Sequence, residues 1–98
     1  MHHWMGSVGL AMRARKVSFG DTLIHDIRSK KAKLVLLASN ASENTKKKVK
    51  DKSKFYQIEM IEVVESELLS KAVGKENIKA IGILDEGFAN RIKKTMKG

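Results

Sequence analysis

The stretch that decides the fold reads Ala32-Lys33-Leu34-Val35-Leu36-Leu37-Ala38. It is a short, continuous apolar run between polar clusters, which is typical of a strand covered on both faces. A similar run occupies residues 78–84, where small side chains allow close packing. Between the two runs, residues 56–64 alternate apolar and polar side chains, which predicts a half-exposed strand.

Helical patterns separate these strands, at residues 8–15, 21–28, 66–73 and 87–96. Gly74 is a natural stop for the third of these, and Asp85 precedes the last as a candidate N-cap. Strands separated by helices favour an α/β fold with a mainly parallel sheet and helices on both faces, a three-layer α/β/α sandwich.

The 98 residues contain no proline, no linker and no repeat, which predicts a single domain over residues 1–98. Residues 1–5 look unlike the rest and are set aside as an extension that need not be ordered. The absence of cysteine excludes disulfides and thiolate metal sites. No apolar run approaches the roughly 20 residues of a membrane span, and no secretory signal precedes the domain. We therefore expect a cytoplasmic protein with no membrane partner.

The formal net charge of +9 is unevenly distributed along the chain. Residues 1–55 hold thirteen Lys and Arg against four acids, whereas residues 56–98 hold seven of each sign. A merely solubilising surface would intersperse the signs. The segregation favours a polyanionic partner, with nucleic acid ahead of an anionic membrane surface or a plain basic surface.

A lysine-rich helix is predicted after Asn40, which can cap it together with Glu43 in a capping box. Thr45 and Val49 form its core stripe. Its cations are Lys46, Lys47, Lys48, Lys50, Lys52 and Lys54. A solvated surface helix is one interpretation. Phosphate contact is the other, because so many like charges repel one another unless anions are near.

A second basic stretch, residues 13–22, runs into a Ser/Gly/Asp/Thr cluster that opens a helix. A helix N-terminus presents free N–H groups, which suit a phosphate or a base edge. Asp21 and Thr22 are equally consistent with ordinary caps.

No catalytic, cofactor or metal motif accompanies these basic segments. The chain has no phosphate loop and no GxGxxG, and His25 reads as a surface histidine rather than a base or ligand. We expect no enzymatic activity, no cofactor, no metal and no small-molecule substrate.

Five stretches resemble one family of ribosomal proteins, the L7Ae type, and within it the bacterial, YlxQ-like members, which bind kink-turn RNA. The matching stretches are residues 9–17, 27–38, 40–47, 71–76 and 87–90, in this order. The resemblance implies an α/β/α sandwich with a mixed, four-stranded sheet, whose fourth strand is Lys16-Val17-Ser18-Phe19.

The resemblance also implies where RNA binds. In the family, a Gly-Thr-Asn-Glu type motif opens the second helix, with a lysine one turn later, and reads guanine edges of sheared G·A pairs. The motif falls on Phe19-Gly20-Asp21-Thr22, or has its glycine at Gly20 if the region is one residue shorter, and His25 stands in the place of the lysine. Here Asp21 can accept from a base amino group, Thr22 can donate or accept, and His25 is a pH-dependent substitute.

The sequence thus predicts a non-catalytic protein that binds ribosomal or other structured RNA, in bacteria and with the ribosome as a further partner. The predicted RNA-binding residues are Lys16, Ser18, Phe19, Gly20, Asp21, Thr22, His25, Arg28, Lys31, Lys33 and, in the loop before the fourth helix, Val64, Glu65 and Ser66. Further phosphate contacts are expected from Arg13, Arg15, Lys30, Lys46, Lys47 and Lys50. The alternative is a protein-interaction module that uses the neutral residues 56–98 and has only non-specific RNA affinity.

Overall fold

Helices and strands alternate along the chain in the computed structural model, which describes residues 3–63 and 66–97. The elements in order are α1 (His3–Arg13), β1 (Val17–Ser18), α2 (Asp21–Arg28), β2 (Leu34–Ala38), α3 (Glu43–Phe55), β3 (Met60–Val63), α4 (Ser66–Val73), β4 (Ala80–Ile83) and α5 (Glu86–Lys97). The α/β class and the short strand at Val17–Ser18 are confirmed.

The four strands form one mixed sheet in the order β1-β4-β2-β3. β2 and β3 are parallel, whereas β4 is antiparallel to both β1 and β2. The mixed sheet is confirmed, and the mainly parallel sheet expected from alternation is wrong. The reason is that residues 74–79 return the chain to the edge where β3 ends: Ala38 N–H donates to the Lys79 carbonyl, and Ser39 N–H donates to the Val63 carbonyl.

The central strand β2 is buried on both faces, as its apolar run predicts. Leu34 and Leu36 pack in the core formed with α1, α4 and α5. Val35 and Leu37 pack in the second core, against α2 and α3. Successive side chains of a strand point to opposite faces, so one five-residue strand joins the two cores of the α/β/α sandwich.

Two boundaries differ from the expectation. α1 begins at His3 instead of residue 8, and Trp4 is only 7% exposed in the core. The setting aside of residues 1–5 is therefore corrected for Trp4, whose burial holds the start of α1 against the core, while residues 1 and 2 lie outside the described residues. The strand expected at residues 56–64 begins only at Met60 and is described as far as Val63, because Gln57, with a φ of 59°, still belongs to the turn that ends α3.

The helix ends explain how the helices are held. Asp85 caps α5, because its Oδ2 accepts from Phe88 N–H over 2.9 Å, and Gly74 follows α4 with a φ of 71°; both predictions are confirmed.

The expected Asn40 cap of α3 is wrong. The helix begins at Glu43, so the adjacent Ser42 is the cap, and its Oγ accepts from Thr45 N–H over 3.2 Å.

Gly82 sets how closely α2 lies on the sheet. A Cβ at this position would lie 2.6 Å from Leu23 Cδ1 and 3.1 Å from Ser18 Oγ. Leu23 is buried at 2% exposure in the second core, so a Cβ at residue 82 would force this packed side chain to move. The small residue in β4 therefore fixes the position of α2, and with it the position of the start of that helix.

Candidate nucleic-acid interface

The start of α2 is open to solvent. Its N-cap residue is Gly20, with a φ of 66° and a ψ of −142°, and no side chain caps the helix. Asp21 and Thr22 are the first two helical residues, and both are exposed. The alternative that Asp21 or Thr22 serves as an ordinary cap is therefore wrong. Leu23 N–H already donates to the Gly20 carbonyl over 3.1 Å, so the first-turn N–H groups that this helix start offers a ligand are those of Asp21 and Thr22.

His25 lies one turn further along the same helix and is also exposed. Residues three and four apart are neighbours on a helix surface, so His25 shares a face with Asp21 and Thr22. Leu23 and Ile27 point the other way, into the second core. The sequence therefore brings together the three polar side chains that the family motif would use.

A hollow of about 330 Å³ lies beside this helix start. Phe19 and Gly20 line one side of it, Thr45 and Lys48 of α3 line another, and Asn77 closes it before β4. Asn77 is not among the residues that the sequence predicts for the site, whereas Lys48 is one of the cations of the predicted lysine-rich helix. Asn77 has a φ of 55°, a conformation that asparagine tolerates better than most residues. Its residue type is therefore the signal by which the sequence could have indicated a turn at this position.

Three connections gather at the same edge of the sheet as the start of α2. Pairing of Ser18 with Gly82 places the end of β1 near the start of β4. Val63 and Ser39 are joined by a backbone hydrogen bond of 2.7 Å, so β2 and β3 end there as well. We call this edge the polar end; it comprises residues 19–22, 39–42 and 75–79.

Part of the predicted RNA-binding loop cannot be placed. Val64 and Glu65 lie outside the described residues, and Ser66 is described only as the first residue of α4. The end of β3 directly before them belongs to the edge just defined, through the hydrogen bond of Val63.

The opposite edge of the sheet, comprising residues 13–16 and 28–33, we call the basic end. Leu84 N–H donates to the Lys16 carbonyl over 2.7 Å, and Lys33 N–H donates to the Ile83 carbonyl over 2.7 Å, so the two segments flank the end of β4. Their exposed cations are Arg13, Arg15, Lys16, Arg28, Lys30, Lys31 and Lys33. Between residues that the structure describes, none of these cations forms an ion pair.

A tight turn at the end of α2 presents several of these cations. Lys31 N–H donates to the Asp26 carbonyl over 2.9 Å, and Lys30 N–H donates to the Ile27 carbonyl over 3.1 Å. Lys30 has a φ of 61°, at the position where glycine is the usual residue. A lysine there costs about 1 kcal/mol of backbone strain, and it adds a cation to the turn.

The lysine-rich α3 is only partly neutralised by the protein. Val49 is buried as predicted, and Ser53 is buried one turn later, so the lysines occupy the remaining faces. Lys50 Nζ lies 3.5 Å from Glu62 Oε1 on β3, and both side chains are about half exposed. This ion pair weakens the expectation of a phosphate at Lys50, while Lys47 is exposed without such a pair among the described residues.

The predicted site residues of α2 and of the segments that flank it therefore lie in two groups instead of one, whereas Lys46, Lys47 and Lys50 lie on α3. Asp21 starts α2 at the polar end and Arg28 finishes it at the basic end, seven residues and about 10 Å further along the helix axis. Ser18 belongs to neither group. It is 3% exposed beneath α2, so its expected contact with RNA is corrected to a place in the core.

The described residues contain no group of three or more His, Asp or Glu side chains that could hold a metal ion. In the same part of the chain, none of the helices combines the length and the apolar content that a membrane span requires. The structure therefore has backbone and side-chain hydrogen-bonding groups at one end of the sheet and exposed cations at the other.

Fold and surface together define a small α/β/α domain with exposed cations at one end of its sheet. A family model described as the ribosomal protein L7Ae/L30e/S12e/Gadd45 family matches residues 2–93. The chain belongs to this family, and the resemblance found in the sequence is confirmed.

Two relatives are similar over nearly the whole chain. RNA-binding protein YlxQ of Enterococcus faecium is 47% identical over 95 residues, which cover 96% of this chain and 91% of the relative. RNA-binding protein YlxQ of Bacillus subtilis strain 168 is 44% identical over 90 residues, which cover 91% and 90%. The family and these names indicate a protein that is not an enzyme.

Solved structures support the fold. A Bacillus halodurans protein of unknown function superposes with a TM-score of 0.93 at 32% identity, and both chains are covered completely. The Giardia lamblia 15.5kD RNA binding protein superposes with a TM-score of 0.76 at 13% identity over 95% of this chain and 81% of that one. At this low identity the second likeness concerns the fold alone.

Proposed function

We propose that this chain is a non-catalytic RNA-binding protein that recognises kinked, structured RNA at its polar end and contacts phosphates through its cations. Membership of the L7Ae family and two relatives named RNA-binding proteins, at 47% and 44% identity, support RNA as the partner. The observation that carries the site is the uncapped, exposed start of α2 at Gly20 and Asp21.

Recognition of RNA at this helix start follows from hydrogen-bonding chemistry. The Asp21 carboxylate accepts from the amino group of a base, and the Thr22 hydroxyl donates or accepts. A regular A-form helix hides base edges in a deep, narrow major groove, whereas a kink or bulge exposes them. The polar end is therefore suited to a kinked RNA more than to a straight duplex.

The phosphate contacts do not depend on the RNA sequence. The exposed cations of the basic end and Lys47 of α3 supply them, in keeping with an excess of positive charge confined to residues 1–55. If about six phosphates are neutralised, the slope of log K against log salt is near −4 to −5. We propose a ribosomal or other structured RNA in the bacterial cytoplasm as the ligand, with the ribosome as the place of action.

The test is a filter-binding titration of a kink-turn RNA and a straight duplex at several salt concentrations. We expect both to bind with a steep salt dependence and the kink-turn RNA to bind more tightly. Binding of neither RNA would reject the proposal in favour of the protein-interaction module. Equal binding of both would leave RNA affinity and reject kink recognition.

Two double variants locate the recognition. Asp21→Ala with Thr22→Ala is expected to reduce the preference for the kink-turn RNA. A matched control, Glu86→Ala with Asn90→Ala, likewise removes one carboxylate and one uncharged polar group, from exposed positions of α5 on the other face of the sheet. It is expected to leave the preference unchanged. If both variants change the preference equally, the start of α2 is not the recognition site.

A further inference from the structure

An aromatic side chain at the end of the lysine-rich helix α3 is exposed to solvent. Phe55, the last residue of α3, is 77% exposed, and the only other exposed large apolar side chain in the described residues is Leu10. The neighbouring Tyr56 ring lies 4.8 Å from the Phe55 ring, centroid to centroid, at an interplanar angle of 75°. The edge contact with Tyr56 leaves most of the Phe55 ring uncovered.

Cations surround this aromatic pair. A hollow of about 450 Å³ along α3 is lined by Lys48, Asp51 and Lys52 together with Phe55 and Tyr56. Because these residues are three or four apart, they form one face of the helix. Phe55 therefore ends a groove whose rim carries two lysines and one acid.

Tyr56 connects this groove with the basic end. It also lines a second hollow, of about 350 Å³, beside Lys30 and Lys33. The acid in that hollow, Glu59, lies 3.4 Å from Lys93 Nζ, so its charge is already paired. A continuous surface thus runs from Lys52 past the aromatic pair to Lys30 and Lys33, and it is mainly cationic.

We propose that this surface binds an unpaired strand of RNA, with one base stacked on Phe55 and the flanking phosphates near Lys52, Lys30 and Lys33. Aromatic platforms inside cationic grooves bind single strands without sequence preference, because every base has a π-face and every linkage has a charge. A duplex does not fit, because its bases are already stacked on one another.

This proposal goes beyond kink recognition and does not depend on it. Phe55 lies at the end of α3 where β3 begins, and the chain enters β3 at the edge opposite the start of α2. The strand bound here is a single-stranded extension of the recognised RNA or a separate single strand. The charge of the surface favours a polyanion over an apolar protein partner, which would need a wider apolar area than one ring.

The experiment measures binding of a 5′-labelled oligouridylate of about twelve nucleotides to the full chain by fluorescence anisotropy. Stacking of one base on an aromatic ring predicts that Phe55→Ala weakens binding about 5-fold to 150-fold. Phe55→Trp is expected to bind at least as tightly as the unaltered chain, since it keeps a stacking surface. Phe55→Leu keeps apolar bulk without a ring and is expected to behave like Phe55→Ala.

Leu10→Ala is the matched control, because it removes the other exposed large apolar side chain, which is 47% exposed on α1. It is expected to leave oligouridylate binding unchanged. An affinity of Phe55→Ala within twofold of the unaltered chain overturns the proposal, as does full binding by Phe55→Leu. Equal losses in Phe55→Ala and Leu10→Ala overturn it too, because the effect would not be local.

The two proposals fail separately. The Asp21→Ala, Thr22→Ala double variant is expected to bind oligouridylate normally, and Phe55→Ala is expected to keep its preference for the kink-turn RNA over the duplex. Thermal unfolding of each variant shows whether the fold is retained. Because the exposed Phe55 side chain contributes little to the core, the Tm of Phe55→Ala is expected to stay close to that of the unaltered chain.

Discussion

The backbones of Lys16 and Lys33 lie on opposite sides of β4, one hydrogen-bonded to Leu84 and the other to Ile83, each over 2.7 Å. Two strand spacings separate them, about 9 to 10 Å. Both side chains are exposed, so the end of one buried strand carries cations on both sides. This relationship turns two basic segments that are distant in the sequence into one surface.

The first prediction concerns the charge of that surface. Lys16→Ala with Lys33→Ala is expected to lower affinity for any RNA and to reduce the magnitude of the salt slope by about 1.4 to 1.8, because two phosphate contacts are lost. Filter binding at four salt concentrations measures the slope. The preference for kinked over straight RNA is expected to persist, since phosphate contacts carry no direct sequence information.

A control variant with the same change in net charge distinguishes phosphate contacts at the basic end from the effect of the net charge of the whole protein. Lys71→Ala with Lys94→Ala removes two exposed lysines from α4 and α5. Its salt slope is expected to match that of the unaltered chain. Equal slopes in the two double variants would mean that only net charge matters and that the basic end makes no defined contacts.

The second prediction concerns the close packing of α2 on the sheet at Gly82. Gly82→Ala places a Cβ against Leu23 and Ser18 and is expected to cost about 1 to 3 kcal/mol through overpacking. Urea unfolding measures the loss. Gly6→Ala is the control: its Cβ would meet nothing within 4 Å, and alanine in a helix is expected to add about 0.5 to 1 kcal/mol. An unchanged midpoint for Gly82→Ala would disprove the close approach of α2.

The fold was largely predictable because its decisive signals are local. The continuous run at Leu34–Ala38 requires cover on both faces, and α2 and α4 begin and end at the predicted residues. The direction of β4 was not predictable from periodicity, because it depends on how residues 74–79 return to Ala38, a contact between distant segments.

The sequence predicts most of the residues of the candidate site, but it does not predict where in the fold they lie relative to one another. Sequence pattern singles out Asp21, and charge singles out Lys33, but only the strand pairing shows that they lie at opposite ends of the sheet. The burial of Ser18 depends on Leu23 packing above it, which no pattern in residues 13–22 reveals. Phe55 was not predicted as a site residue, because the sequence pattern does not show whether an aromatic side chain at the end of a charged helix is buried or exposed.

The third prediction concerns the cap of α5. Asp85→Ala removes the acceptor of Phe88 N–H and is expected to cost about 1 kcal/mol, which lowers the Tm of a domain of this size by about 4 to 8 °C. Differential scanning calorimetry measures it. Asp85→Asn keeps an acceptor oxygen and is expected to lose much less. If both variants lose the same amount, the charge of Asp85, and not its hydrogen bond, stabilises the helix.

The last prediction concerns Gly20, where backbone geometry and recognition meet. Its φ of 66° and ψ of −142° are a combination that L-residues rarely adopt, and a Cβ there would meet nothing within 4 Å. Gly20→Ala is therefore strained only in its backbone, at a cost of about 1 to 3 kcal/mol. The strain is relieved if the first turn of α2 shifts, which displaces the free N–H groups and Asp21. We expect a reduced preference for the kink-turn RNA over the duplex in filter binding.

Gly74→Ala is the control that isolates geometry from stability. Gly74 also has a positive φ, 71°, and open space around its Cβ position, but it follows α4 instead of opening α2. A loss of stability from backbone strain is expected there too, while the preference for the kink-turn RNA stays unchanged. A fall in preference shared by both variants would trace the effect to the stability of the domain. A fall confined to Gly20→Ala ties recognition to the start of α2, because strain is then common to both variants and only the place of the strain differs.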